Sequence, residues 1–186
     1  MLYHLSMQNN YVIPAAVAIP PDARAHGFYA APKLADAFAI SLPPDVVASP
    51  EQLAHFMFDS LPAWVDTLMG LRDALVAGFG LKTTKQLAAP SADTSDKRVG
   101  IFKIYASNAQ EVFLGEDDSH LNFRISVQLR PATASSAQQL IVSTVVHCHN
   151  RLGRSYITLI APFHRQVVQS GLRRAAKLGW PRAVAA

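Results

Sequence analysis

Cysteine is nearly absent from this chain of 186 residues, with Cys148 the only one. A single thiol excludes an internal disulfide framework and any zinc site built on several cysteines. Within a strand-like run it reads as a small buried hydrophobe. Long hydrophobic runs are missing as well. The stretch "YVIPAAVAIPP" at 11–21 is interrupted by Pro14, Pro20 and Pro21 and has no basic flank. It therefore reads neither as a secretory signal nor as one of the roughly 20-residue apolar segments that span a bilayer. A soluble protein in a reducing, cytoplasmic setting is the expectation. Charge is sparse, at 16% against 50% hydrophobic residues, which excludes a disordered chain and points to a globular one with a large core. No glycine-rich phosphate loop or dinucleotide fingerprint occurs, and no serine or cysteine sits in a recognisable nucleophile elbow.

Acidic residues vanish from the second part of the chain. All 13 lie at or before Asp118, whereas nine of the 17 lysines and arginines lie beyond it. Such a split suits either an anionic partner or two halves that neutralise each other on folding. The basic residues are scattered and not interleaved with aromatics, so a nucleic-acid surface is not expected.

What is present falls into an order. Residues 1–30 show no clear period and read as an extended arm, 31–180 as a single domain, and 181–186 as a tail. "ADAFAISL" at 35–42 alternates as a strand, ended by Pro43 and Pro44. Ser49, Pro50 and Gln52 supply the N-cap, first-turn proline and capping-box partner of a helix through "EQLAHFMF". Ser60 is the expected cap of a second helix. Its apolar stripe is Trp64, Leu68, Leu71, Leu75 and Phe79, read as core, and Gly78 and Gly80 end it.

From Leu81 the texture is that of strands. "LKTTKQLA" is a short candidate, "APSADTSDKR" at 89–98 a polar loop, and "VGIFKIYAS" and "EVFLGE" two strands turning at Ser107 and Asn108. "LNFRISVQL" at 121–129 puts Leu121, Phe123, Ile125, Val127 and Leu129 on one face and Asn122, Arg124, Ser126 and Gln128 on the other. "PATASSAQ" turns it back into "LIVSTVVHCH" at 140–149, where Leu140, Val142, Val146 and Cys148 share a face. Beyond Gly153 the period is helical, with Tyr156, Ile160, Phe163, Val167 and Leu172 among its apolar positions. Pro162 is expected to kink this helix or reset its start, because it has no N–H and clashes with the preceding turn. Arg173, Arg174 and Lys177 gather at the end where the helix dipole favours cations.

An antiparallel sheet cannot leave an apolar face bare, and the long C-terminal helix is the element left to cover it. The expected fold class is α+β, a helix-grip fold: a curved antiparallel sheet wrapped around a long C-terminal helix, with two helices after the first strand.

The motifs "LGEDDSHLNFRISV" (114–127), "VVHCHNRLGRSY" (145–156) and "PFHRQVV" (162–168) resemble the bacterial domain-of-unknown-function family 2867, and "LADAFAISLP" with "PAWVDTLMGLRDALVAGFGLKT" fits the same family. That family is similar to the helix-grip superfamily of START lipid-transfer domains, birch-pollen-allergen-like proteins and polyketide cyclases. The resemblance implies that fold and a ligand cavity, and brings no established activity. Family members often carry an aspartate where this chain has Asn122.

Pairing the two hairpin strands sets Asn122 opposite His147 and His120 opposite His149, gathering these with Arg124 on one side of the sheet. Glu116, Asp117 and Asp118 lie in the preceding turn. A metal reading would draw on His120, His147 and His149. An anion or polar-ligand reading would use Arg124, Arg151 and Arg154, with Tyr156 or His164 on the helix. A structural reading pairs the acids with those arginines to fix register. The expectation is a protein that binds a small, largely apolar or amphiphilic molecule between sheet and C-terminal helix, with neither metal nor cofactor. Its candidate ligand-binding residues are Glu116, Asp118, His120, Arg124, His147, His149, Arg154, Tyr156 and His164. The alternatives are an enzyme of cyclase, isomerase or hydrolase type working in the same cavity, and an interaction module docking through its basic helix.

Overall fold

Alternation along the chain builds a sheet with two distinct faces, and the computed structural model describes it over residues 13–77 and 97–181. In chain order the elements are β1 (Ala15–Val17), β2 (Leu34–Ser41), α1 (Pro50–Asp59), α2 (Ala63–Ala77), β3 (Arg98–Val99), β4 (Phe102–Ser107), β5 (Glu111–Asp117), β6 (Leu121–Arg130), β7 (Gln139–Cys148) and α3 (Arg151–Leu178). The seven strands form one sheet in the order β1-β2-β7-β6-β5-β4-β3, with every neighbouring pair antiparallel. The fold is α+β and grips its C-terminal helix.

The β6–β7 register places Asn122 opposite His147 and Leu121 opposite Cys148, and the His149 N–H donates to the His120 carbonyl at 2.9 Å. One face of the sheet offers Phe38, Ile40, Leu114, Val127 and Leu140 to the helices. It packs against Leu53 and Met57 of α1 and Leu172 and Ala175 of α3. α1 lies over β3, β5 and β6, while α3 lies over β2 and β7 and against α1. The outer face is covered by the chain before β2: Ala25 packs on Phe113 and Val145, and Ile19 on Ala37, Ala39 and Ile141. The described part of the expected extended arm is thus a cover for the sheet, anchored by β1 at its edge.

The capping box of α1 forms as read, with the Gln52 N–H donating to Ser49 Oγ at 3.2 Å and the Ser49 N–H to Gln52 Oε1 at 2.8 Å. Ser60 caps no second helix; it closes α1, its hydroxyl donating to the Met57 carbonyl at 3.4 Å. α2 begins at Ala63 and buries Val65, leaving Trp64 43% exposed, so Trp64 does not face the core as expected. The side chains of Leu71 and Leu75, together with Phe79, Gly78, Gly80, "LKTTKQLA" and most of "APSADTSDKR", lie outside what the structure describes. "VGIFKIYAS" is a hairpin and not one strand, because Gly100 adopts φ +56° and turns β3 into β4. α3 runs unbroken through Pro162. Among the described residues, no helix is long and apolar enough to cross a membrane.

Candidate functional site

α3 is seated at its two ends and stands off in its middle. Its buried residues are Gly153 and Ile157 near the start, then Gly171, Leu172 and Ala175 near the end; from Thr158 to Ser170 none is buried. Glycine permits both seats. A Cβ at Gly153 would run into the His120 carbonyl oxygen, and one at Gly171 would lie 2.9 Å from Leu61 Cδ2 and 3.6 Å from Met57 Cγ. Between these seats, two adjoining cavities of about 200 Å³ and about 310 Å³ open under the helix. They share walls from Met69 of α2, Phe102, Ile125, Thr144, and Tyr156 and His164 of α3. The cleft is apolar with a few polar groups, the usual character of a small-molecule site.

Those polar groups are specific. Glu116 and Asp118 stand at the end of β5 in the first cavity, and Asp66 of α2 lines the second. Glu116 Oε2 accepts from Arg98 Nη1 at 3.4 Å, and the same nitrogen donates to the Ile101 carbonyl at 2.7 Å. His164 Nε2 lies 3.3 Å from Asp36 Oδ1, with both side chains mostly buried, and Asp36 Oδ2 accepts from Arg165 Nε at 3.2 Å. Thr144 is buried and lines both cavities; among the described residues its hydroxyl makes no hydrogen bond.

Of the nine candidates, Glu116, Asp118, Tyr156 and His164 line the cavities, and the others lie elsewhere. Arg124, His147 and His149 occupy the outer face of the sheet, because alternation along β6 and β7 puts them opposite the gripped face. Arg124 is 6% exposed and locked in place. Its Nη1 lies 2.9 Å from Asp117 Oδ1 and donates to the Phe123 carbonyl at 2.8 Å, its Nη2 donates to Asp117 Oδ2 at 3.0 Å, and the guanidinium stacks 4.0 Å from the Tyr105 ring centroid. Burial works against its charge, but the Asp117 bond and the neighbouring tyrosines outweigh it and hold its pKa above the usual arginine value. Tyr105 donates to Asp117 Oδ2 at 2.8 Å; burial and then that bond push its phenol up to about 12.

His147 packs between Tyr29, tilted at 5.5 Å, and His149, edge-on at 5.3 Å, and His149 Nε2 lies 3.0 Å from Asn122 Oδ1. His120 Nδ1 sits 2.7 Å from Asn150 Nδ2, while Asn150 Oδ1 caps α3 by accepting from the Gly153 N–H at 2.9 Å. Arg151 and Arg154 are exposed on the first turn of α3. Among the described residues, the pairs that form include Arg124 with Asp117 and Arg98 with Glu116. Among the described residues, no three His, Cys, Asp or Glu side chains converge on a point that could hold a metal ion. Cys148 packs with Leu34, Leu121, Val146 and Ile157, and burial pushes its thiol pKa up.

The family model described as "protein of unknown function (DUF2867)" matches residues 28–171, more than three-quarters of the chain. The chain belongs to this family. No curated protein and no solved structure matches it. The span matched to DUF2867 includes the whole cleft and the outer-face cluster, from Tyr29 to the Gly171 seat of α3.

Within this DUF2867 chain the sequence does mark polar residues on the gripped face in and beside the cleft. Thr144 is the one polar residue between Val142 and Val146 on an apolar face, and Asp36 likewise interrupts Leu34, Phe38 and Ile40. Arg98 carried no such mark, because it lay in a segment read as loop.

Proposed function

We propose that this member of the DUF2867 family binds a small, largely apolar molecule in the cleft between the sheet and α3, as a helix-grip protein of the START and birch-pollen-allergen kind. The observation that carries the reading is the stand-off of α3. Thirteen consecutive residues, Thr158 to Ser170, include none that is buried, although the helix is seated closely at Gly153 and Gly171. Apolar side chains left around such a space gain by filling it with apolar matter.

The test is fluorescence titration with 2-naphthalenemethanol, a neutral probe with an apolar body. Ile160 lines both cavities, so Ile160→Trp should fill the cleft. The wild-type protein should bind the probe, and the variant should lose most of that binding while keeping its melting temperature. Equal binding by the two proteins would sink the reading.

A second reading, a proton-transfer enzyme in the same cleft, is favoured by the His164–Asp36 contact at 3.3 Å. A carboxylate at one ring nitrogen fixes the tautomer and orients the other nitrogen for acid–base work. A co-purified molecule that wild-type protein converts and His164→Gln leaves unchanged would decide for catalysis.

A further inference from the structure

We infer that the cleft selects an apolar alcohol, whose hydroxyl is held where the two cavities meet by Thr144 and His164. The inference rests on the reading of the cleft as a ligand site. Its ground is a polar station that the sheet and α3 build together. Asp36 of β2 and Thr144 of β7 are direct cross-strand partners on the gripped face, a pairing that sets Cβ atoms about 4.5–5.5 Å apart. Both Asp36 oxygens are engaged by α3: Oδ1 lies 3.3 Å from His164 Nε2, and Oδ2 accepts from Arg165 Nε at 3.2 Å. The Thr144 hydroxyl is left over. This residue is 4% exposed and lines both cavities, and among the described residues its hydroxyl makes no hydrogen bond. His164 also lines both cavities, and among the same residues its Nδ1 has no partner. Ile125, the partner of Thr144 on its other side, is an apolar wall of both spaces. A pair of unspent polar groups thus stands in apolar surroundings, brought together by Asp36.

Ligand chemistry follows from these two groups. A carboxylate only accepts hydrogen bonds, so the His164 nitrogen facing Asp36 carries the ring proton, and in the neutral imidazole Nδ1 is then an acceptor. The threonine hydroxyl has one hydrogen to donate. A ligand hydroxyl matches the pair, donating to His164 Nδ1 and accepting from the Thr144 O–H. A ketone or an ether only accepts, and so leaves Nδ1 facing another lone pair. A hydrocarbon leaves both groups buried without a partner, where an unmade hydrogen bond is costly.

The experiment titrates the full-length protein at pH 8 with three fluorescent probes of one apolar body. These are 2-naphthalenemethanol, its methyl ether, and 2-ethylnaphthalene, in which a methyl group stands in place of the hydroxyl. Wild-type protein should bind the alcohol about fivefold more tightly than the ether, or better. Thr144→Val, nearly equal in shape, should weaken the alcohol about fivefold and leave 2-ethylnaphthalene as tight or tighter. His164→Leu should do the same, with Arg165 remaining as the partner of Asp36. An ether that binds as tightly as the alcohol overturns the inference, as does an alcohol affinity that the folded Thr144→Val or His164→Leu protein keeps. A loss shared equally by the alcohol and 2-ethylnaphthalene also overturns it, because the variants would then have changed the shape of the cleft and not its grip on a hydroxyl. In all three cases the cleft reading stands. If one variant fails to fold, the other and the wild-type ratio of alcohol to ether decide. Binding of none of the three probes refutes both readings.

Discussion

Replacing Gly153 by alanine sets two physical effects against each other with opposite sign. Glycine is a poor helix residue, and in a helix interior alanine is favoured by about 1 kcal/mol. At Gly153, however, a Cβ would be driven into the His120 carbonyl oxygen, with the carbonyl carbon at 3.2 Å and Cys148 Cβ at 3.5 Å. That oxygen belongs to the main chain and already accepts the His149 N–H at 2.9 Å. It cannot move aside without opening the junction of β6 and β7. Either α3 lifts from the sheet or the strand ends distort. Overpacking costs about 1–3 kcal/mol, and a rigid backbone partner puts this site at the upper end. Less the propensity gain, the net loss is about 2 kcal/mol.

Gly70 is the control. It lies in α2, is exposed, and a Cβ there would meet nothing within 4 Å. Gly70→Ala should therefore stabilise by about 0.5–1 kcal/mol. Urea denaturation with the slopes compared, together with thermal melting, measures both. In a chain of this size 1 kcal/mol shifts Tm by roughly 2–4 °C, so Gly153→Ala should melt about 4–8 °C lower and Gly70→Ala a few degrees higher. A Gly153→Ala protein as stable as the wild type would refute the close seat of α3, and with it the account of why the helix stands off only in its middle.

Three further outcomes test the outer face and the thiol. Arg124→Lys should destabilise by about 2–3 kcal/mol, because an ammonium cannot span both Asp117 oxygens and two carbonyls or stack on Tyr105. The folded variant should bind 2-naphthalenemethanol with unchanged affinity, since Arg124 lies across the sheet from the cleft; a weakened affinity would count against the separation of the two faces. Tyr105, pushed up to about 12 by burial and the Asp117 bond, should be missing from the phenol ionisation near pH 10 in a 295 nm titration compared with Tyr105→Phe. The native state then keeps a proton that the unfolded chain releases, so this contribution is present below pH 10 and is lost as pH rises from about 10 to 12. A Tyr105 that ionises near pH 10 would contradict it. The Cys148 thiol, 6% exposed with a raised pKa, should react with a disulfide reagent far more slowly in native protein than in urea; rapid native labelling would refute its burial.

Elements with a strong period were legible before any coordinates. The alternation in "LNFRISVQL" and "LIVSTVVHCH", closed by a polar turn, was enough to set Asn122 against His147, because a one-residue slip would have turned every apolar side chain outward. The Ser49 capping box was equally plain, since its side chains satisfy backbone groups a few residues away. Features decided by distant contacts were not. Gly100 splits β3 from β4 through a positive φ that no neighbouring residue announces. Ser60 serves the helix before it and not the one after, and on α2 it is Val65 and not Trp64 that is buried.

The candidate site shows the same division in a sharper form. Sorting by alternation gathered Arg124 and His147 correctly, but a face that is polar along its length is not the one a helix grips. It needs a cover, and the chain from Ile19 to Tyr29 provides one, placing Phe28 5.4 Å from the Arg124 guanidinium and Tyr29 against His147. That segment has no period, so its role could not be read from pattern. A cavity under α3 must be walled by the apolar set. Polar groups that line it therefore include exceptions on apolar faces: Thr144 between Val142 and Val146, Glu116 two residues beyond Leu114, and His164 on the inward side of the helix, which Asp36 contacts from among Leu34, Phe38 and Ile40. In a fold of this kind, an isolated polar residue on an otherwise apolar face marks the site better than a polar cluster does. "HCHNRLGR" illustrates it: Asn150 and Gly153 within it seat the helix, the histidines pack outward, and the cleft is lined by residues to either side of it.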